Sequence, residues 1–147
     1  MCIRDSINGF PLLPHRSHDD GEKVDIAFMY VDIEKHMQWD DRVSWIGYGF
    51  CEEPIRGEVN TPDQCAKKGY WQYSLLTKTI GLADRKKVQF NEFATAALLS
   101  RLSDHPSTGK IFIEPHLKSR LGFANDPKIR FHGCAAVRHD DHIHLEL

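Results

Sequence analysis

Two groups of imidazole and carboxylate side chains stand at opposite ends of the chain. The first is Ser17-His18-Asp19-Asp20-Gly21-Glu22-Lys23-Val24-Asp25, in which Asp25 follows His18 by seven positions. The second is His139-Asp140-Asp141-His142-Ile143-His144, close to the last residue, Leu147. If the closing residues form a strand, side chains two apart share a face, so His142 and His144 project together and Ile143 turns the other way. Such a pair offers one or two imidazoles to a metal ion. A merely solvated, histidine-rich terminus would not need the alternation of polar and apolar residues seen there. A histidine and an aspartate seven residues apart are a weak signal alone, although Gly21 gives the backbone freedom to fold them together. Two imidazoles, one carboxylate and an open fourth position describe a catalytic zinc site rather than a structural one. The other histidines are His15, beside the first group, and the scattered His36, His105, His116 and His132.

These residues need elements to hold them. Residues 22–31 are β-branched or aromatic at many positions and predict a strand. Residues 32–62 carry glycines, tryptophans and Pro54 and read as a long irregular insertion. Residues 63–80 have helical periodicity, weakened by Gly69. Asn91 is a suitable cap for a helix over 92–102, with Phe93, Ala96, Ala97 and Leu99 as its expected buried stripe. Lys110–Glu114 predicts a short buried strand, and Pro115 opens a short helix over 116–121 that Gly122 ends. Residues 134–138 and 142–147 predict two last strands joined by Asp140-Asp141. The expected class is α+β with a mainly antiparallel sheet and flanking helices.

Composition narrows the function classes. The chain has 147 residues, 41% hydrophobic and 27% charged, enough for one domain with a sizeable core. A net charge of −2 offers no concentrated basic face, so no nucleic-acid partner is expected. No apolar run approaches the ~18 residues of a membrane helix, so no integral membrane segment is expected. The four cysteines, Cys2, Cys51, Cys65 and Cys134, form no CxxC pair, which argues against a cysteine zinc site. Cys51 and Cys65 bracket a Pro- and Gly-bearing loop. They read either as a disulfide contributing ~3 kcal/mol by loop closure or as two thiols. Cys134 has no evident partner in sequence. Ser17 reads as a loop hydrogen-bonding residue, not as half of a Ser/His pair.

The segment SHDDGEKVDI resembles the Ser-x-His-x-x-Gly-x-x-x-Asp motif of the LAS metallopeptidases, which include lysostaphin, D-Ala-D-Ala peptidases and hedgehog-type domains. HDDHIHLEL resembles their closing His-x-His strand. His15-Arg16-Ser17-His18, His139–His144 and KIFIEPHLK (110–118) are most similar to penicillin-insensitive murein endopeptidases. The resemblance covers 15–27 and 110–147, and the middle of the chain does not align. It implies a hedgehog/D-Ala-D-Ala-peptidase-like fold with a zinc site on the sheet, and one Zn2+ held by His18, Asp25 and His144. It further implies that His142 steadies the oxyanion, with Asp141 as general base and His139 as its rival. Asp141 reads equally as a residue that orients His142 or His139. Glu114 and His116 could stand behind the ligands, or simply end a strand.

The expected activity is hydrolysis of an amide bond in peptidoglycan stem or cross-link peptides. A non-catalytic zinc-binding domain is the alternative, and a metal-dependent phosphoesterase is disfavoured for want of further carboxylates. A wall-directed hydrolase would be exported to the periplasm or cell envelope. Residues 1–6 (MCIRDS) lack signal-peptide character and resemble translated adaptor sequence. The expectation is therefore a non-native segment at 1–6 and a single zinc-peptidase-like domain over 7–147.

Overall fold

The structure is a computed structural model that describes residues 2–4, 22–39, 49–74 and 86–147. Five strands make one mixed sheet in the order β1-β2-β7-β5-β6. These are β1 (Cys2–Arg4), β2 (Lys23–Ala27), β5 (Lys110–Phe112), β6 (Ile129–Arg130) and β7 (His142–Glu146). All neighbours are antiparallel except β5 and β6, which run parallel. A second, two-stranded sheet pairs β3 (Tyr30–Asp32) with β4 (Val88–Phe90). Three helices are described: α1 (Thr61–Lys67), α2 (Glu92–Asp104) and α3 (Pro115–Arg120). The fold is thus mixed α and β, with a small mixed sheet.

Sheet alternation separates a greasy face from a polar one. Ile143 and Leu145 of β7 lie opposite Ile26 and Val24 of β2, and Ile111 of β5 faces Leu145. With Ile113, Leu117, Leu121, Ile129 and Leu99 they form the core. The other face carries Asp25, His144 and Phe112 in one row, because Asp25 pairs with His144 and His144 with Phe112 across the ladder.

Several expectations change in detail. The predicted strand over 22–31 is two strands, split at Phe28-Met29 so that β3 leaves for the second sheet. The helix expected over 63–80 runs only to Lys67, because Gly69 turns the chain at φ +85° into a single 3-10 turn at Trp71–Tyr73; residues 75–80 lie outside those described. Asn91 caps α2 as expected, its side chain accepting from the Ala94 amide at 3.0 Å. Of its expected stripe, Leu99 is buried and Ala96 packs against the core, but Ala97 is exposed and Phe93 is 86% exposed, and Thr95 and Ser103 are the other buried residues. Thr95 Oγ1 accepts from the Met29 amide, so a polar residue points inward because it has a partner there. Residues 134–138 are a turn and irregular chain rather than a strand. Cys2–Arg4, set aside from the fold in the sequence reading, pairs along β2.

The disulfide joins Cys65 to Cys134, 69 residues apart, which corrects the suggested Cys51–Cys65 bridge. Cys51 stays outside the disulfide, and burial first, then the carboxylates of Asp140 and Asp141, push its thiol upward. The bridge ties α1 to the segment that leads into His139, and the hydrogen bond from Gln72 to the Ala135 carbonyl ties the 3-10 turn to it.

Gly49 sits where the 49–52 segment runs against the 140–141 backbone: its amide donates to the Asp141 carbonyl at 2.9 Å, and the Glu52 amide to that of Asp140 at 2.7 Å. A Cβ at Gly49 would stand 2.5 Å from the Tyr30 hydroxyl and 2.6 Å from the Asp141 carbonyl oxygen. Gly49→Ala is therefore expected to cost about 1–3 kcal/mol, read as a lower urea midpoint with unchanged m.

A candidate metal centre on the sheet

The site is built on the polar face of β2 and β7. Asp25 and His144 face each other in register and are nearly fully buried, at 1% and 3% exposure. His144 Nδ1 and Asp25 Oδ1 are 2.7 Å apart, a hydrogen bond in which the imidazole donates to the carboxylate. His142, one pleat away, lies on the same face, with Nε2 3.7 Å from the same Asp25 oxygen. Its other nitrogen, Nδ1, is 2.6 Å from Asp141 Oδ1. Burial draws the His142 pKa down. Asp141, through its charge and its hydrogen bond, and then Asp25 and Asp140 outweigh this, and the net shift is upward. The charged form of the ring is thereby favoured more than in a free imidazole.

His139 is the opposite case. It packs beside His142 and His144, with ring centroids 5.1 and 5.3 Å away. Burial, and then the neighbouring imidazoles of His142, His144 and His132, hold its pKa well below the ordinary value. Two histidines three residues apart are thus shifted in opposite directions, His139 toward the neutral form and His142 toward the charged one.

The chain between Arg138 and Asp141 is clamped from below. Arg138 donates to both carboxylate oxygens of the fully buried Asp140, from Nε at 3.1 Å and from Nη2, and also reaches Glu53. Its guanidinium lies 5.4 Å from the centre of the Tyr73 ring. Glu114 holds His139 by its backbone: the Glu114 amide donates to the His139 carbonyl at 3.0 Å. Its Oε1 accepts from the Tyr73 hydroxyl at 2.8 Å and, at the long limit of 3.5 Å, from the His139 amide. Burial raises the Glu114 pKa against the opposing pull of those two hydrogen bonds. Glu114 accordingly stands behind the site. His116 does not: its ring Nε2 donates to the Glu52 carbonyl at 2.7 Å.

Of the expected site residues, the structure brings Asp25, His139, Asp141, His142 and His144 together. His18 and His15 lie outside the described residues. No set of three His, Cys, Asp or Glu side chains among the described residues has its donor atoms gathered for a metal ion. The donors that are described nevertheless suit zinc: a buried carboxylate and a buried imidazole already share one contact, and both are of the borderline type zinc accepts. Of the aromatics that could wall a groove, Tyr73 is buried, Trp39 packs against the core, and Tyr70 and Trp71 are exposed; Trp45 lies outside the described residues.

Comparison of the chain with models of protein families, with curated proteins and with solved structures gave no match. The site therefore rests on its own chemistry. One of its residues escaped the sequence reading. His132 stacks on Phe112 with ring centroids 4.2 Å apart and planes within 16°, and its ring lies 5.4 Å from His139 and 6.0 Å from His144. Its signal was the register of KIRFH: Arg130 pairs with Phe112, so a residue two further along extended chain returns to the same face.

His139 and His116 both titrate below the ordinary imidazole value of about 6.5, chiefly through burial. The unfolded chain therefore binds their protons more readily. Their contribution to stability is full above about pH 6.5 and is lost as pH falls toward their folded values. His142, Glu114 and Asp140, whose pKa values are raised, act in the opposite sense. The part owed to His116 is read from His116→Gln, which keeps a donor for Glu52 and in zinc-free protein should raise the urea midpoint at about pH 5.5 relative to that at about pH 7.5, compared with wild type.

Proposed function

We propose that this chain is a zinc-dependent hydrolase of amide bonds in peptidoglycan stem or cross-link peptides. The observation that carries the reading is the in-register meeting of Asp25 and His144 across β2 and β7, with His142 beside them on the same face. In this reading Asp25, His144 and His18 hold the ion. Bound there, zinc would polarise the scissile carbonyl and make a water acidic enough to ionise near neutral pH.

The chain's own groups do the rest. Asp141 fixes the His142 ring through Nδ1 and favours its charged form, in which Nε2–H faces the Asp25 side of the site as a donor for the developing oxyanion. The contact also favours the orienting role for Asp141 over that of general base. Neutral His139 is then the group suited to accept a proton and pass it to the leaving amine. Burial of all three imidazoles keeps bulk water from competing for these hydrogen bonds.

The antiparallel core of β2, β7 and β5 supports a hedgehog/D-Ala-D-Ala-peptidase-like reading of the fold. The Cys65–Cys134 bridge agrees with an exported protein working in an oxidising compartment.

The test is digestion of purified cross-linked peptidoglycan by the zinc-loaded protein, with the released peptides separated and their new termini identified. Appearance of a free amine and a carboxylate from one peptide bond supports the proposal. A protein that holds zinc yet releases nothing would favour a binding domain instead.

A further inference from the structure

We infer that His132 is a substrate-contacting residue of this site, bonding through its imidazole nitrogens to the stem peptide beside the scissile bond. The inference rests on the proposed hydrolase reading and adds a residue to it.

Three features of the ring point this way. First, its position is built. The face-to-face stack on Phe112 fixes the imidazole plane, and Phe112 is itself only 7% exposed and pairs with His144 in the ladder. The ring is thus tied to the row Asp25–His144–Phe112 rather than swinging on a surface loop. Second, it stands at the rim. His139 and His144 are 4% and 3% exposed, whereas His132, within 6.0 Å of both by ring centroid, is exposed to solvent. A molecule approaching the two buried imidazoles from solvent meets this ring. Third, its polar edge is unspent. Among the described residues neither ring nitrogen of His132 has a hydrogen-bond partner, whereas His139, His142 and His144 lie packed among one another and the nearby carboxylates.

A peptide bound across the site carries amide N–H and C=O groups at every residue, and an imidazole can donate to one and accept from the other. A hydrogen bond of this kind is present in both the ground state and the transition state, so its loss falls on KM rather than on kcat.

The experiment separates the stack from the nitrogens. His132→Phe retains a ring to lie on Phe112 and removes both nitrogens; His132→Gln gives up the stack and keeps a polar end. Zinc content is measured for both with the wild type. The cross-linked peptide dimer released from purified peptidoglycan serves as ligand, for KM and kcat of the zinc-loaded protein and for the dissociation constant of the zinc-free protein by calorimetry. Expected for His132→Phe are a five- to tenfold rise in KM and in the dissociation constant (about what one lost hydrogen bond gives), a kcat within about twofold and full zinc content. His132→Gln should recover most of the affinity. Unchanged KM in His132→Phe would overturn the inference, as would a fall in kcat alone. Loss of zinc would overturn it too, by placing the ring on the ion. A wild type that holds zinc but neither binds nor cleaves the dimer would instead sink the proposed substrate, and this contact with it.

Discussion

His144→Ala is expected to lower hydrolysis by roughly 10³-fold or more, because even the outer partners of a metal ligand are worth roughly 10- to 100-fold. The size follows from what the residue does twice. In the proposed site it would supply a ligand nitrogen, and its hydrogen bond helps to hold Asp25, a carboxylate with 1% exposure, in place. Removing the imidazole takes from that buried carboxylate its 2.7 Å partner, a costly change. Asp25→Ala should be as damaging. Asp141→Asn should be milder, since the amide can still meet His142 Nδ1 but no longer favours its protonation. Its loss should fall on kcat, because the oxyanion donor acts in the transition state. Steady-state kinetics on the three variants checks this order, and equal losses in all three would contradict it.

The second large effect is on stability. Opening the Cys65–Cys134 bridge in a Cys65→Ser, Cys134→Ser double variant is expected to cost about 4 kcal/mol, from the loop-closure entropy of a crosslink spanning 69 residues. That would lower the melting temperature by roughly 10–15 °C in a domain of this size. The bridge also fixes the 3-10 turn that supplies Tyr73 to Glu114, and through Glu114 the backbone of His139. The double variant should therefore lose activity at temperatures well below its melting point. Paired urea and thermal unfolding with and without reductant, on wild type and variant, measures it; reductant should move only the wild type.

The parts of this site legible in the sequence were those governed by strand period. His142 and His144 share a face because a strand has period two, and Ile143 marks the opposite face by being apolar. Asp25 was singled out by its place seven residues after His18 and by the resemblance, and its neighbours Val24 and Ile26 pack against the core on the other face. His132 was not, because β6 is two residues long and shows no period, so the histidine looked like one of several scattered ones. The disulfide was not legible either. Connectivity depends on which segments the fold brings together, and Cys134 meets Cys65 only because the chain after β6 folds back over α1. The stripe of α2 was legible at Leu99 and Ala96 but not elsewhere, for a different reason. Hydrophobicity favoured Phe93, but the inward positions are four apart, at Thr95, Leu99 and Ser103, and two of these are polar residues with hydrogen-bond partners inside. The Arg138–Asp140 clamp shows the same limit, since a charged pair in sequence gives no hint of its complete burial.

The most direct test of the central claim is the metal content of the purified, folded chain, measured by elemental analysis beside His144→Ala. About one zinc per wild-type chain is expected, and little or none in the variant. A folded wild type that holds no zinc, even after zinc is added back and the excess removed, would contradict it.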